Sequence, residues 1–163
     1  MNRYEAGLTQ RGLEIAAAHL GGDYSQRDTF VEAFIRENEF QRLADAFTYT
    51  AIVAVELAAT AQDVEFSVAL RDVRPDGGAV LLPGLPLPWQ EAMWLAEHVK
   101  HGGPDIQLSA SRMDVPGAVN GSFQLAVSAL RRLETLPQLG GKAAGAWAAA
   151  LLAGLEAGEG VDD

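Results

Sequence analysis

Trp94, His98 and His101 stand at i, i+4 and i+7, a spacing that puts all three on one face of a helix. Glu97 lies four residues before His101, and Asp105 follows a few residues after it. His98, His101 and Asp105 together offer two imidazoles and a carboxylate, a donor set for a divalent metal, and either imidazole could serve as a general base beside the indole of Trp94. The pattern is short of a complete site, because zinc takes three or four protein ligands and the HxxH spacing supplies two. A histidine in the last turn of a helix also has a plainer role, meeting the partial negative charge of the C-terminus for about 0.3–1 kcal/mol. His19, just before Gly21-Gly22, sits in the same context, and capping accounts for all three histidines.

Glu56 is the second candidate. It is the single charged residue in the seventeen-residue run AFTYTAIVAVELAATAQ between Asp45 and Asp63. A carboxylate in such a setting needs a partner or a path to water, and unpartnered ones collect at functional sites. The partners within the sequence's reach are Arg42, Arg71, Arg74 and the hydroxyls of Tyr49 or Thr60, with a narrow solvent strip as the alternative. As a ligand site, Glu56 joins Trp94, His98 and His101.

No assembled catalytic motif accompanies these residues. Gly140-Gly141-Lys142 has the end of a phosphate-binding loop, but Ala143 stands where Ser or Thr is needed and Leu136 where the pattern requires glycine. GxSxG, GxGxxG and HExxH are all absent. The chain has no cysteine, which removes disulfides, thiolate metal sites and a cysteine nucleophile. No cofactor is implied.

With 22 acidic and 12 basic residues the formal charge is −10, and the acids are dispersed. The densest basic spots are Arg71 with Arg74 and the pair Arg131-Arg132, too few to neutralise a run of phosphates, so direct nucleic-acid binding is not expected. The polar start MNRYEAGLTQRGLE has no apolar signal region, and a cytoplasmic location is the expectation. A membrane span over 46–62 would be short and would bury Glu56, so no membrane role is expected either.

The elements that must position these side chains read mostly as helices. A capping box of Asn2 and Glu5 opens a helix that ends at Gly21-Gly22, weakened by Gly7 and Gly12. Asp28 or Thr29 caps a second helix, which breaks around Glu37-Asn38-Glu39. The third, at about 39–61, is apolar on nearly every side through its middle, as a helix surrounded by others must be. Its rival is a strand, since Phe47, Tyr49, Ala51, Val53, Val55 and Leu57 alternate with smaller or polar residues.

The segment 64–82 supports two readings. Asp63 and Glu65 suit a helix start, while Val64, Phe66, Val68 and Leu70 alternate as in a strand, with the turn Pro75-Asp76-Gly77-Gly78 leading to a returning strand at 79–82. Ile106, Leu108 and Ala110 could then add a third strand. The proline-rich run 81–88 reads as a rigid connector lying on the core. Helices follow at 89–101 and 120–134, and a last one runs from Gly140-Gly141 to about 157.

The expectation is therefore a mainly α single domain, 1–157, of five to seven helices around the central 39–61 helix, with a flexible acidic tail at 158–163. The alternative is an α+β domain with a small antiparallel hairpin at 64–82. For function, the sequence points to a non-enzymatic protein-interaction or assembly protein, self-associating as a homo-oligomer. Two long segments almost without charge, 46–61 with Glu56 alone and 143–155 with none, are more apolar surface than a small core requires, and Trp147, Leu151 and Leu155 form the expected contact line. The competing classes are a small ligand- or metal-binding domain using the Trp94 face, and an acidic inhibitor or regulator of another macromolecule.

Overall fold

A computed structural model describes residues 1–103 and 114–162. Within them the chain forms seven α-helices and no strand: α1 (Arg3–Leu20), α2 (Tyr24–Glu37), α3 (Arg42–Gln62), α4 (Phe66–Arg71), α5 (Trp89–Lys100), α6 (Val115–Thr135) and α7 (Ala144–Glu156). A single 3₁₀ turn, Pro137–Leu139, joins α6 to α7. The protein is a mainly α bundle.

The hairpin does not form, and the burial pattern gives the reason. On a strand Val64, Phe66, Val68 and Leu70 would share one face, yet Val64 and Val68 are exposed while Phe66, Ala69, Leu70 and Val73 are buried. That is the i, i+3, i+4, i+7 pattern of a helix. Asp63 does not cap α4 from its N-terminus; it ends α3 in the left-handed conformation (φ 54°), and Glu65 takes the N-cap position of α4. The third-strand residues Ile106, Leu108 and Ala110 lie outside the described residues.

The capping box at the start of α1 is present in full, Asn2 accepting from the Glu5 amide and Glu5 from the Asn2 amide. α2 begins a turn earlier than the sequence signals indicate, because Asp23, not Asp28 or Thr29, accepts the first orphan amide through Gln26 N–H. α6 likewise starts at Val115, where Asp114 accepts from the Gly117 amide.

Two helices share the centre. α3 is the expected one: its most apolar window is 78% buried by the rest of the chain, which marks it as a core helix although its length and composition would also suit a membrane span. Its companion α6 is buried without interruption from Gly117 to Leu130, and Phe123 meets Phe47 of α3 edge to face at 5.1 Å. The sequence conceals this because the stretch contains Asn120, Ser122, Gln124 and Ser128, all buried.

Those polar side chains clip the irregular segment between α4 and α5 to the core. Asn120 Oδ1 accepts from the amides of Leu81 and Leu82, each at 3.1 Å, and its Nδ2 donates to the carbonyls of Leu82, Leu85 and Pro86. Gln124 donates to the Asp76 carbonyl at 3.1 Å, Ser128 Oγ accepts from the Asp76 amide at 2.9 Å, and Arg131 holds the Asp76 carboxylate. Positions 120, 124, 128 and 131 form one stripe of α6, so a single helix face supplies the partners that a neighbouring strand would have supplied. The proline-rich run 81–88 is a connector seated on the core only at its start, where Leu81 is buried and Leu82 packs against the core, while residues 83–86 are exposed.

Gly12 has a packing role in place of the weakness its propensity implies. A Cβ there would stand 2.6 Å from the Ala46 carbonyl oxygen and overlap the Thr50 hydroxyl, so α1 and α3 can cross this closely only at a glycine. The segment beyond Ala157 turns back to the start of the chain: Asp162 N–H donates to the Met1 carbonyl at 2.8 Å, the Met1 amine donates to the Gly160 carbonyl, and Val161 packs on the core.

Two substitutions test this arrangement by chemical denaturation. Gly12→Ala adds a better helix former yet should destabilise the protein by about 1–3 kcal/mol through overpacking. Asn120→Leu should cost about 2–4 kcal/mol, because the amides and carbonyls of 81–86 lose their buried partner; a change under about 0.5 kcal/mol would contradict the clip.

Candidate functional site

α5 starts after Pro88, buries Ala92, Leu95 and Ala96 against α6 and α3, and turns Trp94 outward. Trp94 is the most exposed large apolar side chain described, at 55%. It is nevertheless held: the His98 ring stacks on it at 4.8 Å with the planes 13° apart. Behind His98 the chain turns sharply, Gly102 in a left-handed conformation (φ 84°) and Gly103 N–H donating to the His98 carbonyl at 2.9 Å. A side chain at 103 would run into the His98 ring, so the glycine permits the close return.

His101 points elsewhere. Its Nε2 lies 3.3 Å from Glu97 Oε1, and the same carboxylate oxygen accepts from Ser67 Oγ of α4. The helix face expected from the sequence is therefore real, but it separates into two pairs, Trp94 with His98 and Glu97 with His101, around a shallow surface depression of about 430 Å³. Among the described residues no three His, Asp or Glu side chains gather at one point. Asp105, the third expected ligand, lies outside the described residues.

Glu56 finds a partner that the sequence reading did not consider. Lys100, the last residue of α5, places its Nζ 2.5 Å from Glu56 Oε1, and both side chains reach water. The pair lies on a cleft of about 370 Å³ that also touches Tyr49, Val53, Val99 and Leu155. Glu56 of α3 thus meets the last residue of α5 and lines a different depression from Trp94, so the two candidate features are not a single site.

The expected contact line on α7 is turned toward the rest of the chain. Leu155 is buried, and Trp147 and Leu151 are partly buried against the core, where α7 lies on α1 and α6. The Lys142 ammonium lies over the Trp147 ring at 4.3 Å, covering its outer side. What α7 leaves to solvent is a row of alanines, 146, 149, 150 and 153, with Glu156 at its end.

Sequence reasoning missed the environment of His19. Beyond ending α1, this imidazole is buried (5% exposed), with Tyr24 at 5.2 Å and Phe123 edge-on at 5.1 Å. Arg27 Nη1 lies 3.0 Å from its Nδ1. Guanidinium can only donate, so Nδ1 is the acceptor and the ring is the neutral Nε2–H tautomer. Burial, then the Arg27 charge, pushes its pKa below the ordinary histidine value, with Arg131 acting the same way and Asp76 opposing. Glu14 is displaced upward, by burial and by Glu156 of α7, against the opposing pull of Arg11. Only the i, i+5, i+8 placement of His19 relative to Tyr24 and Arg27 across a two-glycine turn could have hinted at this cluster, and no periodic pattern carries it.

Compared with family models, with curated proteins and with solved structures, the chain finds no match.

Since the Glu56–Lys100 pair is solvent-exposed, Glu56→Gln should change stability by no more than about 0.5 kcal/mol in urea denaturation. A loss of several kcal/mol would mean that the carboxylate has a structural role beyond this pair.

Proposed function

We propose that this chain is a non-enzymatic interaction domain that associates with a second copy of itself through the outer face of α5 and α4. The observation that carries the reading is the held but exposed indole of Trp94. A large aromatic ring fixed in one orientation gives an interface anchor at little further cost in side-chain entropy. Trp94 has that pre-ordering from His98, flat against one face of the indole.

The surroundings favour the same reading. Val64 and Val68 are exposed at and before α4, and α4 is tied to α5 by the bond from Ser67 to Glu97. The charges on α5 are of both signs, Glu91 and Glu97 with Lys100, so two copies meeting here bring no long block of like charge together. An isologous two-fold contact would set the same patch on both chains. The net charge of −10 works against association at long range, and salt should relieve it. The expected contact line on α7 gives way in this proposal to α5, because Trp147, Leu151 and Leu155 are engaged within the chain.

Light scattering over a concentration series tests the proposal. The expected result is a molar mass rising toward two chains, more readily at higher salt, with Trp94→Ala monomeric and of unchanged melting temperature. A monomer at every concentration, or a dimer that survives Trp94→Ala, overturns it.

A further inference from the structure

α2 is the least embedded of the long helices. It packs chiefly on α1, and Phe34, near its C-terminal end, is its one buried residue. That end is secured twice, since the Arg11 guanidinium lies over the Phe34 ring at 5.4 Å and Arg11 Nη1 meets Glu37 at 3.1 Å. The N-terminal half has no comparable apolar anchor. Phe30 and Val31 are only partly buried, and Tyr24 is 53% exposed.

Arg27 is what fastens that half. Its side chain is mostly enclosed, and Nη1 reaches both His19 Nδ1 at 3.0 Å and the Val80 carbonyl at 3.5 Å. Nε meets Asp28 at 3.0 Å, and the guanidinium lies over the Tyr24 ring at 4.9 Å. One side chain of α2 therefore bonds α1 and the segment between α4 and α5 together. The bond to His19 exists only while the imidazole offers a lone pair.

We infer that His19 and Arg27 form an acid-sensitive latch, in which protonation of His19 Nδ1 expels Arg27 and frees the N-terminal half of α2 from α1 and from Val80. A proton on Nδ1 turns the acceptor into a donor, so two N–H groups, each carrying positive charge, face one another in a buried site. The groups facing His19 offer little compensation. From α2 come Arg27 and the uncharged Tyr24, from α6 come Arg131 and Phe123, and from the connecting segment comes Asp76, already bonded to Arg131. Asp28, the other nearby carboxylate, is bonded to Arg27 itself.

The sign of the pH dependence follows. In the closed form the imidazole resists the proton, and in the open form, exposed to water, it regains ordinary affinity. The closed form is thus favoured above the ordinary value of about 6.5 and yields as the pH falls from there through the lowered value of the closed form. From α3 and α6 the one charged group acting on His19 is Arg131, whose guanidinium keeps its charge throughout this range, so the response stays local to α2.

Hydrogen exchange read by mass spectrometry on the full chain, corrected for intrinsic rates, tests the latch between about pH 8 and about pH 5, either side of the histidine range. In the wild type, peptides spanning 24–31 should exchange about tenfold faster at the acid end, while 42–62 stays protected. His19→Gln, whose amide oxygen can still accept from Arg27 and never titrates, should lose the acid response, and Arg27→Gln should exchange fast at both ends. The same rise in His19→Gln, or no rise in the wild type, overturns the latch. Should His19→Gln fail to fold, the wild type still decides. The midpoint of α2 loosening must coincide with titration of the His19 ring followed by its Cε1–H resonance, and two separate midpoints overturn the proposal.

Discussion

Every amide group of Asn120 must be bonded, because the side chain is fully enclosed at the centre of the bundle. Most of the molecule's layout answers to that demand. The segment 81–86 follows a path with no regular secondary structure of its own, and its own amides and carbonyls would be orphaned against the core without the same residue. Each satisfies the other. Gln124, Ser128 and Arg131 continue the exchange down the same stripe of α6 to Asp76, so the connection from α4 to α5 is drawn along the helix. α5 begins where that connection ends, and Gly121 lets Pro88 come close to α6 at this point, a Cβ there standing 3.0 Å from the Pro88 carbonyl oxygen.

On the other side of α3 the constraint is steric. Gly12 admits the Ala46 carbonyl, and Thr50 occupies the space beside it, its hydroxyl donating to the Ala46 carbonyl at 2.8 Å. Asp45, one residue before, is buried at the start of α3 with Arg42 at 2.7 Å. α3 is thus gripped by α1 through small residues and by α6 through aromatic and aliphatic ones. The elements around α1, α3 and α6 bury fewer residues. α2 depends on Phe34 and on one arginine, and α5 keeps an indole in water.

The legibility of the chain follows the physical character of each signal. α1, α3 and α5 were readable because capping residues, an uninterrupted apolar run and flanking Pro or Gly all act locally. The helix α6 was readable from its apolar stripe, but not its depth, since Asn120, Gln124 and Ser128 look like a solvent face until a partner is in view. The alternation at 64–70 was a misleading periodicity of short range, overridden by the burial of Phe66, Ala69, Leu70 and Val73 at helical spacing. Of the candidate sites, the shared face of Trp94 and His98 was legible from spacing alone. That Glu97 stands within reach of His101 was legible from their i, i+4 spacing, whereas that Glu56 would find Lys100 forty-four residues away depends on how α3 and α5 meet.

By itself the sequence determined that this is a helical, acidic chain without thiol chemistry, with its core around 42–62 and an aromatic residue beside a histidine on one helix face. Those properties are local, set by periodicity, composition and caps within a few turns of chain. Tertiary structure alone decided which helix faces are inside, that polar residues of α6 serve a distant connection, that Trp147, Leu151 and Leu155 turn toward the core, and that His19 sits against Arg27. The physical reason is the same in each case. A polar or aromatic side chain is defined by the groups it meets, and those come from parts of the chain whose distance in sequence carries no information about their distance in space.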